Sequence, residues 1–138
     1  MKNKIFVDSN IWIYLFASDD VSKNELARDF ITDNTLKGNI FVITYQVINE
    51  VGAVLKRKKK FNEEKIQFVV DTMLELCVIQ DFSREIIIKA SVLRDKMLVS
   101  YWDSIIIASA IASGCKFLTS EDLQNGQKIR DVSIMNIF

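Results

Sequence analysis

The chain contains no histidine among its 138 residues. That absence excludes a Ser-His-Asp triad, a Cys-His pair and a His-Glu-x-x-His zinc site. Only four glycines occur, Gly38, Gly52, Gly114 and Gly126, too scattered to form a phosphate-cradling loop. The two cysteines, Cys77 and Cys115, have no metal-binding spacing, and their apolar neighbours suit buried, reduced thiols. Basic and acidic residues balance to a net charge of +0, so any attraction to a polyanion must be local. No apolar run approaches the roughly 18 residues of a membrane span. The start, Met1-Lys2-Asn3-Lys4, precedes only three apolar residues, which is not the pattern of a signal peptide. A cytoplasmic protein fits these features. Carboxylates are the main chemistry left.

Apolar residues make up 49% of the chain, enough for a real core. No linker, repeat or low-complexity tract divides it, so a single domain over residues 1–138 is expected. The reading is one of alternating strands and helices. Ile5–Val7, Ile40–Val42, Cys77–Ile79 and Lys116–Leu118 are short apolar strands, with a fifth expected over Val132–Ile137. Ser9 is expected to cap a helix through Ala17 that is apolar nearly all round, so it is buried on several sides or covered by a partner. Asp19 to Ser22 reads as a loop. A second helix runs from Lys23 to Leu36 with Leu26, Ala27, Phe30 and Ile31 inward. Thr44 caps a helix through Lys58. Asn62 caps another, with Ile66, Phe68, Val69 and Met73 inward. Ser83 caps one through Lys96. Trp102 to Ser113 forms the last, closed by Gly114 in the left-handed position. Short buried strands separated by helices indicate an α/β fold, a parallel sheet with helices on both faces. Such folds bind ligands beyond the carboxyl ends of their strands.

Three isolated acids stand in apolar surroundings. Asp8 ends the run Ile5-Phe6-Val7. Glu50 lies along the apolar stripe of its helix, three residues after Val47 and four before Val54. Asp103 opens Asp103-Ser104-Ile105-Ile106-Ile107-Ala108 and faces inward at a helix start. Ionised carboxylates are rarely buried without partners. Two of them at about 4 Å, with an effective dielectric of about 20, repel by roughly 4 kcal/mol. A divalent ion that prefers oxygen ligands, Mg²⁺ or Mn²⁺, relieves that repulsion. Glu121 and Asp122 lie just past the end of the strand at Leu118 and can face the same rim. A plainer reading stands beside this one: Asp8 and Asp103 as ordinary helix caps, and Glu50 paired with a lysine.

Val7-Asp8-Ser9-Asn10-Ile11, then Glu50 in its apolar helix, then Tyr101-Trp102-Asp103-Ser104-Ile105-Ile106-Ile107-Ala108, then Phe117-Leu118-Thr119-Ser120-Glu121-Asp122-Leu123 together resemble the PIN-domain ribonucleases. The short form is similar to the VapC-type toxins of toxin–antitoxin pairs. The resemblance implies a three-layer α/β/α fold around a central parallel sheet of four to five short strands. It implies a metal-dependent endoribonuclease that leaves a 5′-phosphate and a 3′-hydroxyl. Asp8, Glu50 and Asp103 match the first three acids of the family. The fourth falls on Glu121 or Asp122, and the two are left open. Ser9, Asn10, Ser104 and Thr119 match the small polar residues of the site, though each also suits capping or a turn. The implied cofactor is Mg²⁺ or Mn²⁺. The implied partners are an RNA substrate, tRNA among the candidates, a cognate antitoxin protein and a second copy in a homodimer.

Two features stay open. Lys56-Arg57-Lys58-Lys59-Lys60 is either a solvated helix end favouring the negative pole of the dipole or a contact for the RNA backbone. Trp12, Tyr14 and Phe16 are either core or part of a groove for an antitoxin peptide or dimer partner. The rival functions are a catalytically silent α/β interaction module and a PIN-type RNA-processing nuclease that is not a toxin. A receiver domain is disfavoured because Ser9, not a second acid, follows Asp8. A haloacid-type hydrolase is disfavoured by Asn10.

Overall fold

The computed structural model describes residues 2–138. The strands are short and apolar on both faces, as parallel strands covered on each side must be. They are β1 (Lys4–Val7), β2 (Ile40–Ile43), β3 (Cys77–Ile79), β4 (Phe117–Thr119), β5 (Lys128–Ile129) and β6 (Val132–Met135). They form one sheet in the order β3-β2-β1-β4-β6-β5. All neighbours are parallel except β5 and β6, which pair antiparallel at the edge. β5 is a sixth strand beyond the four or five expected. It has only two residues, too few for any periodicity to register.

β1 is central. The chain leaves it toward β2 on one side, and β4 flanks it on the other. The carboxyl ends of β1 and β4 therefore mark the topological switch point, where α/β sheets open a crevice for ligands.

Six helices cover the sheet, which gives the three-layer α/β/α arrangement: α1 (Ser9–Ala17), α2 (Val21–Leu36), α3 (Tyr45–Lys59), α4 (Glu63–Leu76), α5 (Arg84–Lys96) and α6 (Tyr101–Ala112). α1 packs on α2 and α3, α3 on α4, and α5 on α6. Thr44, Asn62 and Ser83 cap α3, α4 and α5 through side-chain oxygens, as expected. Gly114 follows α6 at φ 72°, a left-handed conformation that costs glycine little. No described helix is long and apolar enough to cross a membrane.

Several local expectations are corrected. Asp8, not Ser9, caps α1, because its carboxylate accepts the Ser9 N–H while its backbone stays extended. Asp20 caps α2 through the Lys23 N–H, which draws Val21 and Ser22 out of the expected loop and into the helix. Leu26 and Phe68 lie on outer faces. Phe68 is 67% exposed, since Val69 and Met73 already fill the inward side of α4. Ser100 caps α6 one residue earlier than the expected start requires.

Of the three α1 aromatics, only Trp12 is placed wholly in the core. Trp12 is wholly buried; its indole N–H donates to the Val7 carbonyl at 3.2 Å and its ring meets Phe41 edge-on at 6.4 Å. Tyr14 and Phe16 are half-buried against the core. Both cysteines are free, and burial pushes the Cys77 thiol up to about 12.

Candidate active site at the ends of strands β1 and β4

Asp8 is the centre of the crevice. It is 5% exposed and rigidly placed. Its own N–H donates to the Thr119 carbonyl at 3.1 Å, which extends the β1–β4 ladder by one step. One carboxylate oxygen accepts the Ser9 N–H at 2.7 Å, and the other accepts the Ser120 hydroxyl at 3.2 Å. Burial raises the Asp8 carboxyl to about 6. The charges of Glu50 and Asp103 push it the same way, against the two hydrogen bonds. Glu50 and Asp103, up to 95 residues away in the sequence, therefore both bear on Asp8 through the fold.

Asp103 sits half-buried in the first turn of α6. Its backbone is held by the Ser100 cap, and Ser104 to Ala110 are all buried behind it. Glu50 is half-buried on α3, with Oε1 accepting the Gln46 amide N–H at 3.0 Å. Gln46 Oε1 is buried without a partner.

The two acids after β4 part company. Glu121 accepts from the Lys23 ammonium at 2.7 Å and from the Tyr14 hydroxyl at 2.7 Å. Burial alone would raise its carboxyl, but these two donors outweigh burial and hold it below the usual range. Asp122 instead joins the Asp8 network. Its N–H donates to the Ser120 oxygen at 3.2 Å, and Asn10 donates to its carboxylate at 3.3 Å.

The small polar residues divide similarly. Ser9 and Asn10 hold acids directly. Thr119 turns inward and donates to the Phe6 carbonyl at 3.0 Å, so it ties β4 to β1 rather than lining the crevice. Ser104 is buried and accepts from Arg94 at 2.7 Å. The basic run closes α3, where Lys60 takes φ 58°. Lys56 pairs with Glu63, and Lys59 with Asp19 at 3.0 Å. Lys56 to Lys60 stand six to ten residues beyond Glu50, about 9–15 Å along the helix axis.

Sequence reasoning missed Ser120, Gln46, Arg94 and the Lys23–Tyr14 clasp on Glu121. Ser120 was visible only as the neighbour of a matched motif; the others carry no local signal.

Among the described residues, no three acid or thiol side chains stand close enough to hold an ion as they are placed. The donor set nonetheless suits a hard divalent cation. It is all oxygen, it is anionic, and it includes a buried carboxylate whose ionisation its neighbours oppose.

Comparison with known proteins agrees with this geometry. The PIN domain family matches residues 5–126. No curated protein matches the sequence. Among solved structures, the chain is similar to DNA-bound VapBC from Salmonella typhimurium, at 17% identity and a TM-score of 0.73, covering 100% of both chains. It is similar to VapBC2 from Rickettsia felis bound to a promoter DNA fragment, at 21% identity and a TM-score of 0.69, covering 96% of this chain and 98% of that one. It is also similar to VapC20 from Mycobacterium tuberculosis, a sarcin-ricin loop cleaving toxin, at 17% identity and a TM-score of 0.66, covering 83% and 86%. With most of its length matched and this shared architecture, the chain belongs to the PIN-domain family and has the fold of the VapC-type toxins.

Proposed function

We propose that the protein is a divalent-metal-dependent endoribonuclease and the toxin of a type II toxin–antitoxin pair. The observation that carries the catalytic reading is Asp8: a carboxyl buried at the switch point, raised to about 6, with the charges of Glu50 and Asp103 directed at it. Nothing in a plain helix cap calls for two further acids. The toxin reading draws on the likeness to VapBC assemblies, and with it come a cognate antitoxin and a homodimer as partners.

Asp8, Glu50, Asp103 and Asp122 would hold Mg²⁺ or Mn²⁺. The ion would supply Lewis-acid stabilisation of phosphoryl charge and a lowered pKa for water. The chain's own residues do the positioning. Ser9 and Ser120 fix both oxygens of Asp8, and Asn10 and the Ser120 oxygen fix Asp122. Gln46 ties down Glu50 Oε1, and Glu50 Oε2 accepts the proton of the attacking water. Glu121, occupied by Lys23 and Tyr14, anchors the loop rather than serving as the fourth acid.

The test is cleavage of a labelled RNA by Asp103→Asn with Mg²⁺ or Mn²⁺ present. Loss of cleavage in a variant with unchanged circular dichroism is expected. Full activity would overturn the assignment and favour a silent interaction module.

A further inference from the structure

A cleft of about 530 Å³ opens beside Glu50, lined by Tyr45, Gln46, Phe82 and Trp102. It continues into a second hollow of about 200 Å³ that shares Gln46, Phe82 and Trp102 and adds Arg94 and Tyr101. Aromatic rings dominate the walls, and Tyr45, Phe82, Tyr101 and Trp102 are all substantially exposed. Trp102 directly precedes Asp103, and its ring meets Tyr101 edge-on at 5.5 Å. Scattered exposed aromatics need no explanation, but four around one cleft at the rim of an acidic crevice do.

Two polar features give the cleft a chemistry. Gln46 lines both hollows, and its Oε1 is buried without a hydrogen-bond partner, an acceptor that costs free energy until a donor arrives. Arg94 lies 4.1 Å over the Tyr101 ring, gives one N–H to Ser104 and forms no ion pair among the described residues. Stacking surfaces, one unsatisfied acceptor and one unpaired guanidinium are the parts that recognise an unpaired nucleotide.

We propose that this cleft is a nucleobase subsite. The base beside the scissile phosphate of a single-stranded RNA stacks on Trp102 and its neighbouring rings. A turn of the Gln46 side chain into the cleft brings its Oε1, buried in the free protein, to accept an exocyclic amino N–H of the base, and an adjacent phosphate lies on Arg94. Cytosine, adenine and guanine carry such an amino group; uracil has only its ring N–H. The inference rests on the nuclease reading above and adds a source of base preference to it.

The protein carries its own reporter. It has two tryptophans, Trp12 wholly buried and Trp102 61% exposed, so a ligand-induced change in emission reports Trp102. The full chain bearing Asp8→Asn, which removes cleavage, is titrated with short oligocytidylate, oligouridylate and an abasic ribose-phosphate oligomer of equal length. Oligocytidylate is expected to quench the emission and bind more tightly than oligouridylate; the abasic oligomer is expected to leave the emission unchanged. By anisotropy of a labelled oligomer, Trp102→Leu is expected to weaken oligocytidylate binding at least about fivefold. Gln46→Leu is expected to erase the preference for cytosine over uracil. Circular dichroism confirms that both variants fold.

Equal quenching by the abasic oligomer would overturn the subsite. So would emission that follows protein concentration but not RNA, with sedimentation showing a dimer that Trp102→Leu dissolves; a second copy would then occupy the cleft. If the wild type cleaves RNA and the titration is flat, the subsite alone fails. If the wild type cleaves no RNA, the nuclease reading fails, and the titration still decides whether a base stacks there.

Discussion

Replacing Asp8 by asparagine is expected to make the protein more stable at neutral pH while ending cleavage. The Asp8 carboxyl has its ordinary value of 3.8 in the unfolded chain and is raised to about 6 in the fold by burial and by Glu50 and Asp103. The folded state therefore holds an extra proton between those values, and stability falls as pH rises through that window. Two pH units at 1.36 kcal/mol each amount to about 3 kcal/mol withdrawn from the folded state by pH 7. Asparagine removes the charge and keeps the shape: its carbonyl can still accept the Ser9 N–H, and its amide can donate to the Ser120 oxygen. A net gain of about 2 kcal/mol at pH 7.5, or roughly 6 °C in melting temperature for a chain of this size, is expected. At pH 4 the two proteins are expected to melt together. Mg²⁺ or Mn²⁺ is expected to raise the melting temperature of the wild type at pH 7.5 and leave the asparagine variant nearly unmoved. Thermal scans from pH 4 to pH 8, with and without the ion, decide the matter. Parallel pH profiles for the two proteins would refute the reasoning, because Asp8 would then carry no strained charge.

Ser120→Ala is expected to lower divalent affinity or cleavage about 10–100-fold by releasing Asp8 and Asp122 together, read by calorimetry and a cleavage assay. Unchanged values would remove Ser120 from the site. Glu121→Gln is expected to retain most cleavage and Asp122→Asn to lose it; the reverse would make Glu121 the fourth acid. Lys58→Gln with Lys60→Gln is expected to flatten the dependence of log affinity on log salt for single-stranded RNA by about 1.4, with no change in sequence choice. An unaltered slope would make the basic run a solvated helix end.

The parts of this molecule legible in its sequence are those set by neighbours along the chain. Thr44, Asn62 and Ser83 cap helices that start one residue later, and Asp8, Glu50 and Asp103 each break an apolar pattern of fixed period. What the sequence hid was set across space. The Ser120 hydroxyl reaches a carboxylate 112 positions away, and Lys23 claims Glu121 across 98 positions. No window of residues contains either fact. The proposed preference for Asp122 over Glu121 rests on that distant lysine, which the spacing from Thr119 does not reveal. Phe68 misled for the opposite reason: it is apolar, but the inward face of α4 was already full.

The acids of the crevice hang from anchors of unequal freedom. Asp8 is pinned at the end of the central strand, and Asp103 grows from the first turn of a helix whose next seven residues are all buried. Neither can travel far without disturbing the core. Glu50, half-buried on α3, and Asp122, exposed on the loop after β4, each have a carboxylate restrained by a single side-chain amide. In the proposed metal site, closing around the ion would fall to those two side chains, while the strand end and the helix start keep their places.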